Sequence, residues 1–547
     1  MFRMQSERYG GASSAERRNA MAYRNGTLMK VTCAAAVSVF CGVLLLWPGG
    51  SDAQEQEGGR GPRGKLSTPQ AELLTWLMPP GVDKSYDAID ANKLHGYVRE
   101  QAAISLRSRD AGNQYWGRIA GMPSGTETQN WIKDKFKAMG VPYDTVTIPA
   151  SADYPKSWGI DISSNGKSIH LKSAFPLIDF PETAGPLSAD RDLDVVWVSL
   201  GQESDFIGKD VRGKLVVVYS IPTPSVLIQS SMWMESVGRA QKAGAAAILV
   251  DVAIPGNMQY VSHLNGGRVR DTKTPIFTIG DEDGRAIEQM NAAAKGVGLK
   301  GHVRWEVGHY PDLKQDIVIG KLPGMTDENI VMVSHTDGFF EGAADNGAGT
   351  AAMLGTAEYF AKMPKEKRRR TLYFVALLDH HSADRGSKWL HDNFQSVFAK
   401  TAMIVNSEHV AVLHSVLDRR WGSNDRPSLV ATNAYEPSWW GVYGSERMAR
   451  TIAHGLATFG VPTQLAQGGS AGEAANVQFD APSFYLDNKG TFYHTDSDTP
   501  DKIPASGLRN VVQAFAKIYD DINTLELKDL QAPPSDRPGT VSRSASR

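Results

Sequence analysis

Cysteine is almost absent from this chain. Its 547 residues include two, Cys33 and Cys41, and both lie in an apolar stretch near the N-terminus. If that stretch is removed, the remaining chain has no cysteine, which excludes disulfides, cysteine catalysis and thiolate metal ligands. Any metal ion would then be held by His, Asp and Glu side chains.

The net charge is also small. The chain carries a formal charge of −2, with 41% hydrophobic and 22% charged residues. This balance is typical of a globular protein and gives no reason to expect nucleic acid or an anionic membrane as a partner. The length allows two or three domains.

The N-terminal apolar stretch, residues 31–47, has the features of an export signal. Arg24 and Lys30 precede it, and the small residues Ser51 and Ala53 follow it at the −3 and −1 positions. We therefore predict cleavage after Ala53 and a secreted or periplasmic protein with no stable membrane span. The alternative is an uncleaved anchor, because this run is near the lower limit for a spanning helix.

Two apolar β-runs between residues 330 and 387 end in residues that can bind metals. The first ends at His335-Thr336-Asp337, and the second ends at Asp379-His380-His381. A Gly-rich turn between them holds Asp345 and leads into small apolar residues typical of a buried helix. Because ligands bind at the carboxyl ends of parallel strands, we expect these side chains at one edge of a sheet.

Two further predicted strands end near Glu408 and His494, which gives five candidate metal ligands: His335, Asp345, His381, Glu408 and His494. Imidazole and carboxylate ligands suit zinc or, less specifically, manganese or cobalt. Asp345 is placed to bridge two ions, and Asp337 is placed to accept the ring N–H of His335. Three other histidines are interpreted as structural or surface residues: His409, His414 and His454.

Together these segments resemble peptidase family M28, the zinc-dependent aminopeptidases and carboxypeptidases with a protease-associated (PA) domain insert. The matching motifs are SHTDG at 334–338, GAADNGAG at 342–349, FVALL with GS at 374–387, VNSEHV at 405–410 and YHTDSDTPDKI at 493–503. RIAGMPSG with the helix after it, and the segment from DVRGKLVVVYS to TPIFTIG, extend the resemblance over most of residues 70–525.

The resemblance implies an α/β zinc-exopeptidase (phosphorylase/hydrolase-like) fold, in which helices sandwich a mixed sheet and a β-rich PA-like domain is inserted. The predicted organisation is a signal peptide 1–53, a linker 54–66, a first part of the peptidase domain 67–176, a PA-like insert 177–305, a main peptidase domain with the metal site 306–527 and a disordered tail 528–547.

By the same resemblance, His335 and Glu408 would hold one zinc ion, and His494 would hold the other. Asp345 would bridge the two ions, or a single ion would be bound. Tyr493 would contact a peptide substrate. The oligomeric state is not indicated.

The chain departs from the family pattern at residues 380–381. The family has two adjacent glutamates there, a general base followed by a zinc ligand, whereas this chain has His380 and His381. Imidazole binds zinc well, so His381 can replace the ligand. His380 can act as a base near neutral pH, although nearby dications disfavour its protonated form. Asp379 is a poorer candidate, because neighbouring residues on a strand point to opposite faces.

These residues leave several hypotheses open. The first is an exported metal-dependent exopeptidase, of the aminopeptidase or dipeptidase type, with an atypical His-His pair. The second is a catalytically impaired relative that binds peptides or a single metal. A third is an amidohydrolase that acts on a non-peptide amide. The basic run 365–370 (KEKRRR) is interpreted as a solvated surface turn rather than a nucleic-acid site.

Overall fold

A computed structural model describes residues 83–177, 188–220, 233–261, 274–418, 428–464, 467–468, 472–477, 481–488 and 490–532. The chain divides into two compact units, Met1–Arg63 and Gly64–Arg547, and all described residues belong to the second. The predicted signal peptide, the predicted linker and the predicted tail beyond residue 532 lie outside the described residues.

The helices are α1 (Ala91–Asp110), α2 (Pro123–Met139), α3 (Trp233–Lys242), α4 (Asp281–Ala293), α5 (Gly349–Ala361), α6 (Arg385–Asn393), α7 (Gln395–Phe398), α8 (Glu446–Thr458), α9 (Gly472–Val477) and α10 (Ala505–Asn523). The strands are β1 (Gly117–Arg118), β2 (Tyr143–Pro149), β3 (Ala152–Ser164), β4 (Lys167–His170), β5 (Phe175–Pro176), β6 (Ser188–Trp197), β7 (Leu215–Ser220), β8 (Ala247–Val252), β9 (Ile276–Gly280), β10 (Leu299–Tyr310), β11 (Lys314–Leu322), β12 (Asn329–His335), β13 (Gly338–Phe339), β14 (Thr371–Leu377), β15 (Thr401–Ser407), β16 (Leu413–Asp418), β17 (Ser428–Tyr435), β18 (Trp439–Tyr443), β19 (Gln467–Gly468) and β20 (Ser483–Asp487).

The larger part of the fold is built on an eight-stranded mixed sheet. Its order is β19-β18-β20-β15-β12-β14-β11-β2. The four central strands, β20, β15, β12 and β14, run parallel to one another, whereas β11 and β18 pair antiparallel on either side. The parallel strands therefore bring four carboxyl ends to one edge of the sheet.

Helices cover both faces of this sheet, because its central strands are apolar on both sides. Along β12, Ile330 and Met332 join the core under α1, α2, α5, α8 and α10. Val331 and Val333 join a second core with α6, α7 and α9. This alternation follows the two-residue period of a strand. Small residues in α5 allow close packing, since a Cβ at Gly355 would lie 2.3 Å from Leu94 of α1. The predicted mixed sheet between helices is confirmed.

A second eight-stranded sheet has the order β4-β3-β10-β6-β7-β8-β9-β5. Its strands β6 to β9 are parallel, with α3 between β7 and β8 and α4 after β9. The sheet draws on residues 152–310 and so includes β3 and β4, which precede the predicted insert 177–305. A PA-type identity for this part stays a prediction.

Among the residues that the structure describes, no helix is both long and apolar enough to cross a lipid bilayer.

The basic run 365–370 differs from its prediction as a solvated turn. Lys365 to Lys367 are exposed, but Arg370, directly before β14, is completely buried. Its guanidinium donates to the carbonyls of Ile522 (2.6 Å) and Leu525 (2.7 Å). It also pairs with Glu328 at 2.7 Å. Five donors in a planar fork can satisfy all of these acceptors, so the arginine joins the end of α10 to the sheet.

We predict that Arg370→Met destabilises the fold by about 3–5 kcal/mol, because it leaves the carboxylate of Glu328 and two buried carbonyls without their donor. The measurement is the shift of the guanidinium unfolding midpoint. Arg369→Met is the matched control. Arg369 is 30% exposed and pairs with Glu526, so its loss costs about 0–1 kcal/mol. Equal shifts for the two variants would contradict this role of Arg370.

Candidate metal centre

Seven polar side chains follow the carboxyl ends of the four parallel strands. His335 ends β12, and Asp345 lies in the turn between β12 and α5. His380 and His381 follow β14, Glu408 and His409 follow β15, and His494 lies in the loop after β20. Parallel pairing places these positions at a common edge, as the sequence predicts.

The carboxylate of Asp345 lies at the centre of four imidazole rings. Nε2 of His381 and Nε2 of His494 each lie 3.0 Å from one of its oxygens, and Nε2 of His409 lies 3.0 Å from the other. Nε2 of His335 is 3.5 Å away. Asp345 is only 1% exposed, so water cannot compensate its charge and the rings must do so.

Three of these rings are held at their other nitrogen. Nδ1 of His335 contacts Asp337 at 3.3 Å, Nδ1 of His409 contacts Asp487 at 2.7 Å, and Nδ1 of His494 contacts the carbonyl of Val261 at 3.1 Å. An acceptor at Nδ1 fixes the proton there and leaves Nε2 to face Asp345. This is the usual arrangement around metal-binding histidines.

Among the groups of possible ligand atoms in the described residues, two share the carboxylate of Asp345. One group is His335, Asp345 and His409, and the other is Asp345, His381 and His494. Within each group the ligand atoms lie within 4.8 Å of one another, and all these residues are buried. Each group offers three protein ligands, and Asp345 is common to both, as a bridging carboxylate between two cations must be.

The turn that carries Asp345 is held from outside by two charged residues. Arg118, fully buried, donates to the carbonyls of Thr336 (2.9 Å), Glu341 (2.7 Å) and Gly342 (2.9 Å). Asp498 accepts from the backbone N–H of Ala344 and of Asp345 itself, at 2.8 and 3.0 Å. Arg118 belongs to the RIAGMPSG motif and Asp498 to YHTDSDTPDKI, so both motifs act on the same turn.

Burial and neighbouring charges put the central groups in the forms that bind metals. Burial alone would raise the pKa of Asp345, but the rings of His381, His409 and His494 outweigh it and hold that pKa well below its usual range. Burial lowers the pKa of His381, and it lowers that of His494 to about 3. An ionised carboxylate and neutral imidazoles are the metal-binding forms.

His335 and His409 differ from the other two rings around Asp345, because the pKa of each is raised. Burial would lower the pKa of His409, but Asp345 and Asp487 outweigh that effect and raise it to about 10. A cation that takes Nε2 of His409 must therefore displace a proton, so binding at this nitrogen releases one proton near neutral pH.

Glu408 and His380 lie in a neighbouring group rather than at Asp345. With Glu473 of α9 and with His335, their ligand atoms fall within 4.8 Å of one another. The ring of His380 stacks on His335, with centroids 4.3 Å apart, and its Nδ1 lies 2.5 Å from Oε1 of Glu473. Glu408 does adjoin His335, as predicted, but it forms no group with Asp345 among the described residues.

Three further residues have clear positions. Asp337 accepts from the backbone N–H of His381 (2.8 Å) as well as facing His335, which is the supporting position predicted for it. Asp379 points away from the centre and accepts from the N–H groups of Arg385 and Gly386 at the start of α6. Tyr493 is 5% exposed, and its ring stacks on His494 at 3.8 Å. Its predicted contact with substrate stays a prediction.

Two residues of the centre, His409 and Glu473, are not among the five ligands predicted from the sequence. His409 is 1% exposed and contacts Asp345, which excludes the surface alternative for this residue. The chain leaves β15 at Ser407, and a φ of 50° at His409 turns its ring inward. Glu473 lies far from the motifs, in GGSAGE. His414, which pairs with Glu436, and His454, exposed on α8, lie outside the metal-ligand groups.

These features define an α/β protein with a candidate two-metal centre at the carboxyl ends of its parallel strands. Residues 317–519 match the sequence profile of peptidase family M28. That segment is similar to the family and contains all four parallel strands and every candidate ligand.

One relative matches part of the chain. Aminopeptidase YwaD of Bacillus subtilis (strain 168) is 28% identical over 181 residues, which are 32% of this chain and 35% of that protein. The match thus spans about a third of the length of this relative.

Solved structures share the fold at low identity. A peptidase M28 precursor from Shewanella amazonensis superposes with a TM-score of 0.60 and 16% identity, over 82% of this chain and 98% of that one. BSAP, a zinc aminopeptidase from Bacillus subtilis, superposes with a TM-score of 0.55 and 16% identity, over 81% and 98%.

We predict that Asp337→Asn weakens zinc binding by about 10–100-fold, because an amide cannot accept from both Nδ1–H of His335 and the backbone N–H of His381. Competition against a chromophoric chelator measures the zinc dissociation constant. Asp379→Asn is the control, since that buried side chain faces α6, and its zinc affinity stays at the wild-type value. A comparable loss in both variants would indicate general loosening of the strand ends.

Proposed function

We propose that this protein is a metal-dependent exopeptidase that binds two zinc ions around Asp345. The observation that carries the proposal is the buried Asp345 carboxylate with four imidazole Nε2 atoms at 3.0–3.5 Å. The structure holds two three-ligand groups with this carboxylate in common. The family match of residues 317–519 and the zinc aminopeptidase among the structural neighbours support zinc and peptide hydrolysis.

The donor set fits zinc. It consists of nitrogen and carboxylate oxygen without sulfur, and three of the rings are oriented through Nδ1. One ion is assigned to His335, Asp345 and His409, and the other to Asp345, His381 and His494. When bound, zinc ions in such a pair polarise the scissile carbonyl and acidify water.

The chain's own residues supply orientation and a proton acceptor. Asp337 fixes His335 and the start of the His381 segment, while Arg118 and Asp498 fix the turn of Asp345. The side chain of His380 is 25% exposed, whereas those of the rings around Asp345 are at most 5% exposed. It is therefore the most accessible imidazole of the site. Burial would lower its pKa, but Glu473 outweighs burial and raises that pKa well above the usual range, so His380 must lose a proton before it can serve as the predicted base.

A free peptide terminus is the expected recognition element of the substrate. The family resemblance favours an N-terminal residue or a dipeptide over an internal bond. The basic and apolar N-terminal sequence supports export, so we place the activity in the periplasm or outside the cell.

We predict that Asp345→Asn removes most bound zinc and lowers kcat/KM on leucine p-nitroanilide by about 10³-fold or more, because both ions lose a charged ligand. Zinc content and hydrolysis are measured on the same preparation. His454→Ala, on the exposed face of α8, leaves both unchanged. Wild-type protein without zinc, or with hydrolysis insensitive to chelators, would contradict the function.

The capture of a free terminus is tested with blocked substrates. An aminopeptidase cleaves leucine p-nitroanilide and does not cleave the N-acetyl derivative, whereas a carboxypeptidase requires a free carboxylate. Equal rates on the free and acetylated compounds would instead favour an amidohydrolase.

The His-His pair favours one second candidate, an impaired relative that binds peptides without cleaving them. We predict that His380→Glu does not raise the peptidase rate, because a glutamate at position 380 would add a third carboxylate beside Glu408 and Glu473. Steady-state rates of the two proteins at equal zinc content decide the question. A large increase would identify the missing base as the defect and establish the second candidate.

A further inference from the structure

A short segment after β8, residues 259–261, pairs with the loop that carries His494. The backbone N–H of Val261 donates to the carbonyl of His494 at 2.9 Å, and that of Asp496 donates to the carbonyl of Gln259 at 3.2 Å. The carbonyl of Val261 in turn accepts from Nδ1 of His494 at 3.1 Å. The backbone and the ring of this candidate ligand are therefore held by one segment.

The same segment is attached to the second sheet. The hydroxyl of Thr278 in β9 donates to the carbonyl of Tyr260 at 2.5 Å. Just before the segment, Asn257 accepts from the backbone N–H of Asp283 at 3.2 Å. A Cβ at Gly280 would lie 2.9 Å from Cα of Asn257, so the end of β9 approaches this part of the chain closely. These contacts place residues 257–261 between the second sheet and His494.

Thr278 is a polar residue on a strand that is buried along its whole length. It has no exposed surface, so its hydroxyl must form a hydrogen bond inside the protein to avoid a cost in free energy. The hydroxyl has one proton. The carbonyl of Tyr260 at 2.5 Å is closer than that of Phe175 at 3.3 Å, so the proton goes to Tyr260. A valine would fill the same space without making this bond.

We propose that Thr278 is a positioning residue of the metal centre, which acts on His494 through Tyr260 and Val261. The inference rests on the proposed function, because it takes His494 as a ligand of one of the two zinc ions. An acceptor at Nδ1 sets the direction in which Nε2 points. Thr278 fixes the carbonyl before Val261 and thereby fixes the acceptor itself.

The effect of Thr278 is confined to one of the two ions. Nε2 of His494 lies 3.0 Å from the carboxylate of Asp345. Among the described residues, His494 shares a ligand group with Asp345 and His381 and is not part of the group that contains His335. A displaced Val261 carbonyl therefore turns a ligand of one ion away and leaves the ligands of the other in place.

The first test is Thr278→Val in the full chain, with both zinc dissociation constants measured by competition against a chromophoric chelator. We expect one constant to rise by about 10-fold, the lower end of the effect of residues that orient metal ligands. The other constant stays at the wild-type value. Thr278→Ser keeps the hydroxyl and restores the weakened constant. Wild-type constants in Thr278→Val would overturn the proposal, because a role in packing alone leaves zinc affinity unchanged.

Thr356→Val is the matched control. Thr356 of α5 has no exposed surface, and its hydroxyl donates to the carbonyl of Ala352 at 2.8 Å. The variant thus loses an equally buried hydrogen bond of the same type within a helix, and both zinc constants stay at the wild-type values. The same loss of affinity in both variants would indicate general loosening of the fold and would overturn the specific role of Thr278.

The second test uses the wild-type chain and measures hydrogen exchange of the backbone amides of residues 259–261 with zinc bound and after chelation. Because the segment and the ion hold the same ring, we expect slower exchange with zinc bound, while the amides of β8 change little. Equal exchange in both states, in a chain that binds two zinc ions, would overturn this inference and leave the exopeptidase function intact. A wild-type chain that binds no zinc would contradict the proposed function and this inference with it.

Discussion

A carboxylate with 1% of its surface exposed, Asp345, is the constraint on which the rest of the site depends. A charge in that position is tolerated only if several partners compensate it. The fold supplies them by ending four parallel strands at one edge, so that residues distant in sequence surround one side chain. The order of the central strands thus has an electrostatic consequence, because it determines which rings reach the carboxylate.

The supporting residues follow from the same constraint. The turn that carries Asp345 is buried, backbone and side chain alike. Its carbonyls therefore need a donor, and its N–H groups need an acceptor. Arg118 provides the first and Asp498 the second. A single buried guanidinium that reaches several carbonyls orders more backbone than one neutral hydrogen bond could. The motifs RIAGMPSG and YHTDSDTPDKI, far apart in the sequence, are thus linked through this turn.

Much of this arrangement was predictable, since apolar strands end visibly in the sequence and His335, Asp345, His381 and His494 stand at or after such ends. The mixed sheet and most helices were predictable for the same reason. His409 was not, because its inward direction depends on one backbone angle after the strand has ended. Glu473 comes from a short helix that only the tertiary fold brings to the site. The burial of Arg370 could not be predicted from the sequence, because a run of charged residues normally faces water.

The position of His494 depends on a segment far away in the sequence. Its ring is held by the carbonyl of Val261, and the backbone N–H of Val261 donates to the carbonyl of His494 at 2.9 Å. Tyr260 and Thr495 form a bridge beside them. His494 is the last of the candidate ligands to be synthesised, and the segment that supports its ring is synthesised much earlier. The metal centre is therefore completed only when both segments are present, and a deletion around Val261 would remove the support of His494 while keeping every ligand.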